Sequence, residues 1–324
     1  MRSCAARLFS ILTTSIALAQ FCDASNGRII AMGDEWLLSD RAFAQQPAQS
    51  TQLADNISKF FADNEPSRFL VLSNSGPINF PGQRGVLGTA LKDRMLALGH
   101  TWEVNPSVPF TLATLRQYRG VFFSGAVGSG STNAQVLESY VREGGNVLVM
   151  AGTGDIGGPA SEASAWNFFL NKFGLSFGDA WFAIKSGGAL LSVPALPSGN
   201  PLGRLISAVE WDNGQTVINL APDNPLVEIA VYGNFTGFSP LLPSGAVQPI
   251  IGTVNILTKC LGDLNNDGIV DDADFVIFAA AYNLLLCADG TMPAGCPCDF
   301  NKDGFVDDVD FQIFIQSYGL PICL

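Results

Sequence analysis

The stretch VFFSGAVGSGSTNAQVLESYVREGGNVLVM, residues 121–150, gives the clearest indication of the fold. It begins with an apolar run at 121–123 and ends with another at 147–150, each as long as a short buried strand. Between them, apolar residues recur at helical spacing: Val136, Leu137, Tyr140 and Val141. Two apolar runs joined by an amphipathic helix predict a right-handed βαβ unit with parallel strands. Ser131 or Thr132 is the expected cap of the helix.

The same alternation of strand and helix extends in both directions from this stretch. Strands are predicted at 68–72 and 101–104, with a helical stripe between them and a brief helix at 111–118. A further helix is predicted to begin at Pro159. After Gly174, short strand-like runs rich in Gly and Pro predict added strands and long loops. The expected class is α/β, with a flavodoxin-like parallel sheet flanked by helices.

The predicted strand ends contain many glycines and small polar residues. In open α/β sheets, ligands bind beyond the carboxyl ends of the strands, which here are residues 73–76, 124–130 and 151–158. These loops favour either a crevice for a polar small ligand, such as a sugar or small anion, or ordinary connections. They contain neither a P-loop nor a dinucleotide-binding fingerprint.

Several segments within about residues 28–230 resemble the class I glutamine amidotransferase-like superfamily, including its trehalose-utilisation-type members and secreted bacterial proteins with that fold. The resemblance rests on residues 33–39, 98–102, 115–123 and 144–148. It implies an amidotransferase-like sheet. Enzymes of this kind use a Cys nucleophile with His and Glu partners.

The chemistry of those enzymes is not expected here. No Cys lies between residues 22 and 260, and Ser124-Gly125 follows the strand at 121–123. The single His of the chain, His100, closes a predicted helix, so we expect it to be structural. Carboxylate-only hydrolysis remains an alternative, because the segment contains the following acids: Asp34, Glu35, Glu103 and Asp155.

The acidic residues are concentrated in residues 259–324, which contain 11 Asp, no Glu and two Lys. Residues 263–275 and 299–311 align without gaps, 36 positions apart. Oxygen-bearing side chains stand at positions 1, 3, 5, 9 and 12 of each segment, with Gly at position 6, as in EF-hand calcium loops. Position 7 contributes its backbone carbonyl. The candidate ligands are Asp263, Asn265, Asp267, Ile269, Asp271 and Asp274 in loop 1, and Asp299, Asn301, Asp303, Phe305, Asp307 and Asp310 in loop 2. We therefore expect two Ca²⁺ ions.

A helix is predicted after each loop, and Val at position 8 of each predicts a short β-bridge between the loops. With Asp at position 12 and one helix per loop, the segment resembles dockerin modules. That resemblance implies docking to a cohesin-like or cell-surface protein. Positions 10 and 11, Asp272-Ala273 and Asp308-Val309, lack the small hydroxyl residues common in cohesin-binding dockerins. This argues against ordinary cohesin docking but leaves calcium binding as expected.

Five of the seven cysteines lie in the same segment. Because the ends of a duplicated module come together, we expect a Cys260–Cys323 disulfide. Cys287 and Cys296 flank a short loop and are expected to pair, which leaves Cys298 as the odd thiol. Alternatively, the odd thiol pairs with Cys22 or with another chain.

The first residues resemble a secretory signal: Arg2 and Arg7 precede a short apolar run at 8–19. The alternative is a buried N-terminal helix. The predicted organisation is a signal peptide at 1–19, an α/β domain at 28–258 and a small all-helical calcium-loop domain at 259–324. This organisation places the protein outside a bacterial cell or on its surface. A net charge of −12 argues against binding nucleic acid through a basic face, and no apolar run is long enough to span a membrane.

Two functions are compatible with these features. The first is a secreted calcium-binding protein with a docking tail and a non-catalytic ligand-binding body. The second is a dockerin-bearing carbohydrate-active hydrolase in polysaccharide breakdown.

Overall fold

A nine-stranded sheet forms the centre of the α/β part. The computed structural model describes residues 27–73, 85–184, 190–238, 245–256, 262–265, 270–293, 295–301 and 303–318 of the chain. Its strands are β1 (Gly27–Met32), β2 (Arg68–Ser73), β3 (Thr101–Val104), β4 (Gly120–Ser124), β5 (Asn146–Met150), β6 (Leu175–Phe182), β7 (Leu191–Pro197), β8 (Ala208–Trp211), β9 (Gly214–Asn219), β10 (Val227–Asn234) and β11 (Val247–Ile256).

The strand order is β3-β2-β4-β5-β1-β11-β10-β7-β8. The first five strands are parallel: β2, β3, β4 and β5, as predicted, and β1, which was not predicted; the pairings beyond β1 are antiparallel. β6 and β9 form a separate two-stranded sheet. Of the strands after Gly174, β7, β8, β10 and β11 therefore extend the parallel half, whereas β6 and β9 do not, and the α/β class is confirmed.

Helices cover both faces of the parallel half. They are α1 (Asp40–Gln45), α2 (Pro47–Ala62), α3 (Thr89–Ala97), α4 (Leu112–Leu115), α5 (Ser131–Arg142) and α6 (Pro159–Leu170). Since side chains alternate along a strand, Phe122 packs with α2 and α3, while Phe123 packs on the other face with α5 and α6. This two-sided burial explains the uninterrupted apolar runs of β4 and β5.

One predicted cap is wrong. α5 begins at Ser131, but its N-cap is Gly130, with φ of 90° and no side-chain capping bond. Gly130 adopts a conformation that favours glycine, and its N–H donates to the carbonyl of Ala165. Ser131 and Thr132 therefore lie inside the helix instead of before it. α6 does begin at Pro159, as predicted.

The calcium-loop segment contains α7 (Asp272–Tyr282) and α8 (Asp308–Ser317), each following its loop. A small separate core joins them, consisting of Val270, Phe278, Ala281, Cys298, Val306 and Phe314. The predicted Cys287–Cys296 disulfide is confirmed, with a Cα–Cα distance of 5.3 Å, and Cys298 is free and buried.

The second predicted disulfide involves Cys260 and Cys323, which lie outside the described residues, as do the predicted signal peptide and Cys22. The pairing therefore stays a prediction. The 36-residue repeat supports it, because this offset relates Cys260 to Cys296 and Cys287 to Cys323. In the described part of the chain, every helix is too short or too polar to cross a bilayer.

Candidate functional site

Three strands of the parallel half bring buried polar side chains to one edge of the sheet. Asp34 and Glu35 follow β1, Ser124 ends β4, and the loop from Ala151 follows β5. Asp34, Glu35 and Ser124 are fully buried, and the Ser124 hydroxyl donates to Glu35 Oε2 at 3.2 Å. The edge of the sheet at which a ligand crevice was predicted therefore contains buried polar side chains. Residues 74–76, also predicted to line it, lie outside the described ranges.

Asp34 joins the turn after β1 to the connection between β8 and β9. Its Oδ1 accepts the Trp36 N–H at 3.0 Å, and its Oδ2 accepts the Asp212 N–H at 2.6 Å. Burial raises the pKa of Asp34 well above its usual value, although both of these bonds favour the charged form. Both carboxylate oxygens are thus committed to backbone groups, so the geometry indicates an anchoring residue.

Glu162, in the first turn of α6, occupies the amide-lined loop after β5. Its carboxylate accepts the Gly152 N–H at 3.0 Å, the Thr153 N–H at 3.2 Å and the Thr153 hydroxyl. Burial raises the pKa of Glu162. Two of the amides predicted to face a ligand are therefore bound by this internal carboxylate. With three buried acids at this edge, a neutral polar ligand fits better than an anion.

Sequence reasoning missed Glu162, although an acid in the first turn of a helix after a glycine-rich loop is a recognisable signal. Of the four predicted carboxylates, only Asp34 and Glu35 lie buried at this edge. Glu103, on edge strand β3, accepts the Tyr118 hydroxyl at 2.9 Å, and Asp155 is exposed.

Ser124 and His100 do not form a catalytic pair. A nucleophile on a sharp strand–helix turn has a left-handed backbone, but here Gly125 has positive φ, of 90°, and Ser124 does not. His100 lies before β3, at the opposite edge of the sheet. Its Nδ1 accepts the Ser67 N–H at 3.1 Å, so Nε2 carries the proton and donates to Ser58 Oγ at 2.7 Å. Burial lowers the pKa of His100, so both ring nitrogens of the neutral imidazole are used in bonds within the fold.

Loop 2 forms a second polar site, in which side chains at positions 1, 3 and 5 turn towards the loop backbone. Asp299 accepts the N–H groups of Asp303 at 3.1 Å and Gly304 at 3.0 Å. Asn301 Oδ1 accepts the Asp303 N–H at 2.9 Å. Gly304, at position 6, has φ of 93°, as the sharp turn requires. The predicted ligands at these three positions thus surround the same turn.

Asp310, at position 12, is fully buried and closes loop 2. Its Oδ1 accepts the N–H groups of Phe300 at 2.7 Å and Asn301 at 3.2 Å, and its Oδ2 accepts the Asp307 N–H at 3.0 Å. Asp307 in turn caps α8, with its Oδ1 accepting the Val309 N–H at 2.9 Å. One carboxylate therefore connects the start of the loop to the start of the helix.

Loop 1 repeats this arrangement. Asp274, also fully buried, accepts the N–H groups of Leu264 at 2.7 Å, Asn265 at 3.0 Å and Asp271 at 3.0 Å. Asp271 caps α7, as Asp307 caps α8. Asp263 is among the described residues, whereas Asp267 and Ile269 are not.

The two repeats are joined by reciprocal contacts. The Tyr282 hydroxyl, at the end of α7, donates to Asp308 at 2.6 Å, and the Tyr318 hydroxyl donates to Asp272. The bridge formed by loop 2 differs from the predicted one: Phe305 pairs with Leu286, after α7. Val270 and Val306 instead lie buried in the shared core. Repeat 1 thus contacts the residue that follows α8, and repeat 2 contacts the segment that follows α7.

The donor set of loop 2 suits a hard cation. Carboxylate, amide and backbone oxygens are the ligands that Ca²⁺ prefers. The sulfurs of Cys287 and Cys296 lie within 4.8 Å of an Asp299 oxygen, but their disulfide removes the thiolates that a soft metal would need. The residues present therefore fit calcium and not zinc.

No protein-family model matches the sequence, and no match is found among curated proteins. A solved structure with a similar arrangement is that of a protein assigned as a peptidase E from Listeria monocytogenes EGD-e. It has 10% sequence identity and a TM-score of 0.27, and the match takes in 42% of this chain and 64% of that one. The match covers less than half of this chain and under two thirds of the other. The fold is therefore described from the strand order of this chain alone.

Proposed function

We propose that loops 1 and 2 each bind one Ca²⁺ ion, and that calcium orders residues 259–324 into a docking segment of a secreted protein. The observation that carries this proposal is the repeated role of Asp274 and Asp310. In both loops, a buried position-12 carboxylate accepts three backbone N–H groups from positions 2, 3 and 9. A merely solvated acidic surface would not need the same internal bonds twice.

Calcium would supply the positive charge that this segment lacks. Its 11 Asp face only two Lys, so the carboxylates repel one another without a cation. In loop 2 the ligands would be the side chains of Asp299, Asn301, Asp303 and Asp310, with the Phe305 carbonyl. Asp307, at position 9, would act directly or through water.

Docking is supported by apolar side chains left exposed on both helices and beside loop 2. They include Phe275, Val276, Leu286, Phe305, Val309 and Ile315. Exposed apolar patches bordered by polar residues are typical of interaction sites. Because Asp272 and Asp308 lie on the same helices, the complementary partner is a protein with an apolar surface bordered by basic side chains.

The Cys287–Cys296 disulfide supports secretion, because disulfides persist in oxidising compartments. The α/β part then acts as a non-catalytic body that binds a neutral polar ligand such as a sugar. The alternative, a carbohydrate-active hydrolase, draws on the adjacent buried acids Asp34 and Glu35. Burial raises the pKa of Asp34 as in a general acid, but the commitment of its oxygens to backbone groups disfavours this role.

Calcium stoichiometry tests the proposal. We expect the full chain to bind two Ca²⁺ in equilibrium dialysis, and Asp263→Ala and Asp303→Ala each to remove one, since each deletes a ligand of one loop. The matched control is Asp289→Ala, which changes an exposed Asp of the same segment outside both loops. Fewer than two ions in the wild type, or equal losses in the control, would contradict the two-loop assignment.

Covalent probes and substrate screens test whether the α/β part is catalytic. Serine-directed probes are expected not to label Ser124 stoichiometrically, because its side chain is fully buried and His100 lies at the opposite edge. We also expect no turnover of glutaminase, esterase or glycosidase substrates. Labelling of Ser124 or glycosidase activity that Asp34→Asn or Glu35→Gln abolishes would promote the hydrolase alternative.

A further inference from the structure

The Cys287–Cys296 disulfide contacts loop 2 at three points. The Asp299 N–H donates to the carbonyl of Cys296 at 3.1 Å, at the start of the loop. The Cys287 N–H donates to the carbonyl of Gly304 at 3.0 Å, at the turn. In addition, Cys287 Sγ lies 3.3 Å from Asp299 Oδ2. The bonded cysteines therefore hold both the first candidate ligand and the turning glycine of the loop.

The residues in contact with the disulfide are also bonded to each other, because Gly304 donates its N–H to Asp299 Oδ2 at 3.0 Å. The bridge between Leu286 and Phe305 adds a further connection and fixes the residue whose carbonyl is the candidate ligand at position 7. Moving Cys287 away from Cys296 would therefore change the positions of two ligands at once.

The backbone of Cys296 indicates what the disulfide maintains. Its φ is +47°, in the left-handed region that residues other than Gly seldom adopt. Once the disulfide is broken, Cys296 can relax towards negative φ. Its carbonyl, which accepts the Asp299 N–H, would turn with it.

We propose that the Cys287–Cys296 disulfide is a positioning element that sets the calcium affinity of loop 2, so that its reduction by a dithiol weakens calcium binding there. The inference rests on the proposed calcium function and adds its regulation. In the reaction, the dithiol gives up two electrons and two protons and becomes a cyclic disulfide, while Cys287 and Cys296 become two thiols. Both cysteines are partly exposed, which gives a reductant access.

The neighbouring thiol does not interfere with this switch. Burial, together with the charge of Asp310, raises the pKa of Cys298 to about 11. Cys298 is also fully buried, so reagents in solution have little access to it. Its place in the apolar core with Phe278 and Phe314 makes it a packing residue.

The test uses the full chain with Asp263→Ala, so that loop 2 is the remaining site. Chelator competition gives its calcium dissociation constant with and without Cys287→Ser/Cys296→Ser. We expect this pair of changes to weaken binding about 10- to 100-fold, the usual effect of losing groups that orient metal ligands. The variant Cys287→Ser/Cys296→Gly should recover part of the affinity, because Gly accepts positive φ. Cys298→Ala is the control.

A reciprocal measurement needs no cysteine variant. If the disulfide strengthens calcium binding, linkage requires calcium to favour the disulfide by the same factor. Saturating calcium should therefore shift the dithiol–disulfide equilibrium of Cys287 and Cys296 about 10- to 100-fold towards the disulfide. Alkylation followed by peptide mass spectrometry measures this shift. An affinity change under threefold, or an equilibrium that calcium leaves unchanged, overturns the inference. Absence of calcium binding in the oxidised Asp263→Ala chain overturns the proposed function itself.

Discussion

Replacing Asp310 with Ala is expected to unfold the calcium-loop segment while the α/β part stays folded. The change removes a fully buried carboxylate that accepts three backbone N–H groups, and it deletes the position-12 ligand of loop 2. Hydrogen bonds to a charged group contribute about 1.5–3 kcal/mol each, so the loss of three costs about 4.5–9 kcal/mol. A segment this small has a total stability of only about 3–5 kcal/mol from its core. Chelating calcium should have the same effect on the wild type.

The thiol of Cys298 reports this unfolding in the full chain. It is fully buried, so with calcium it should react slowly with an alkylating reagent. Asp310→Ala, or a chelator, should make labelling of the Cys298 peptide as fast as in denaturant. Asp289→Ala should keep the thiol protected. If the thiol stays as slow to react in Asp310→Ala and in the chelator-treated wild type as in the calcium-loaded wild type, neither calcium nor this carboxylate holds the segment together.

Replacing Glu162 with Ala is expected to cause a large loss of stability in the α/β part. It removes the carboxylate that accepts the N–H groups of Gly152 and Thr153 and the Thr153 hydroxyl, and it leaves the Gly152 N–H with only its longer bond to Gln215 Oε1, at 3.4 Å. Several such losses cost about 2–4 kcal/mol. Urea unfolding followed by tryptophan fluorescence measures the change. Asp223→Ala, at an exposed position of the α/β part, should change the free energy of unfolding by less than about 0.5 kcal/mol.

The free energy of unfolding that Glu162→Ala loses should also depend on pH. Because burial raises the pKa of Glu162, the folded protein holds the proton more tightly than the unfolded chain does. Its contribution to stability is therefore complete below the ordinary Glu value of 4.5 and declines as the pH rises through the folded-state pKa. The difference between wild type and Glu162→Ala should be largest in acid. A difference that grows with rising pH would contradict the assigned direction.

Patterns that repeat or that are buried on both sides were predictable from the sequence. β4 and β5 have continuous apolar runs because helices cover both faces, and the 36-residue repeat located the two loops that we propose bind calcium. β1 was not singled out, because its place in the sheet depends on pairing with β5 and β11, far away in the chain. α2 was missed as well, since its polar stretch gives a weak stripe.

The candidate site in the α/β part was harder to predict, because burial of an acid depends on tertiary packing. Asp34 and Glu35 were recognised as acids, but their enclosure follows from contacts such as the Asp212 N–H, 178 positions away. The occupation of the loop after β5 by Glu162 could not be derived from glycines alone. The cap of α5 was mispredicted for a related reason: residue 130 donates its N–H to the carbonyl of Ala165, in α6, from a backbone with φ of 90°, which suits Gly.

The reciprocal contacts between Tyr282 and Asp308 and between Tyr318 and Asp272 make the two repeats depend on each other. Each tyrosine has its carboxylate acceptor in the other repeat, so neither repeat makes this contact by itself. A change that releases one helix therefore also frees the tyrosine at the end of the other, and we expect the two helices to lose their order together.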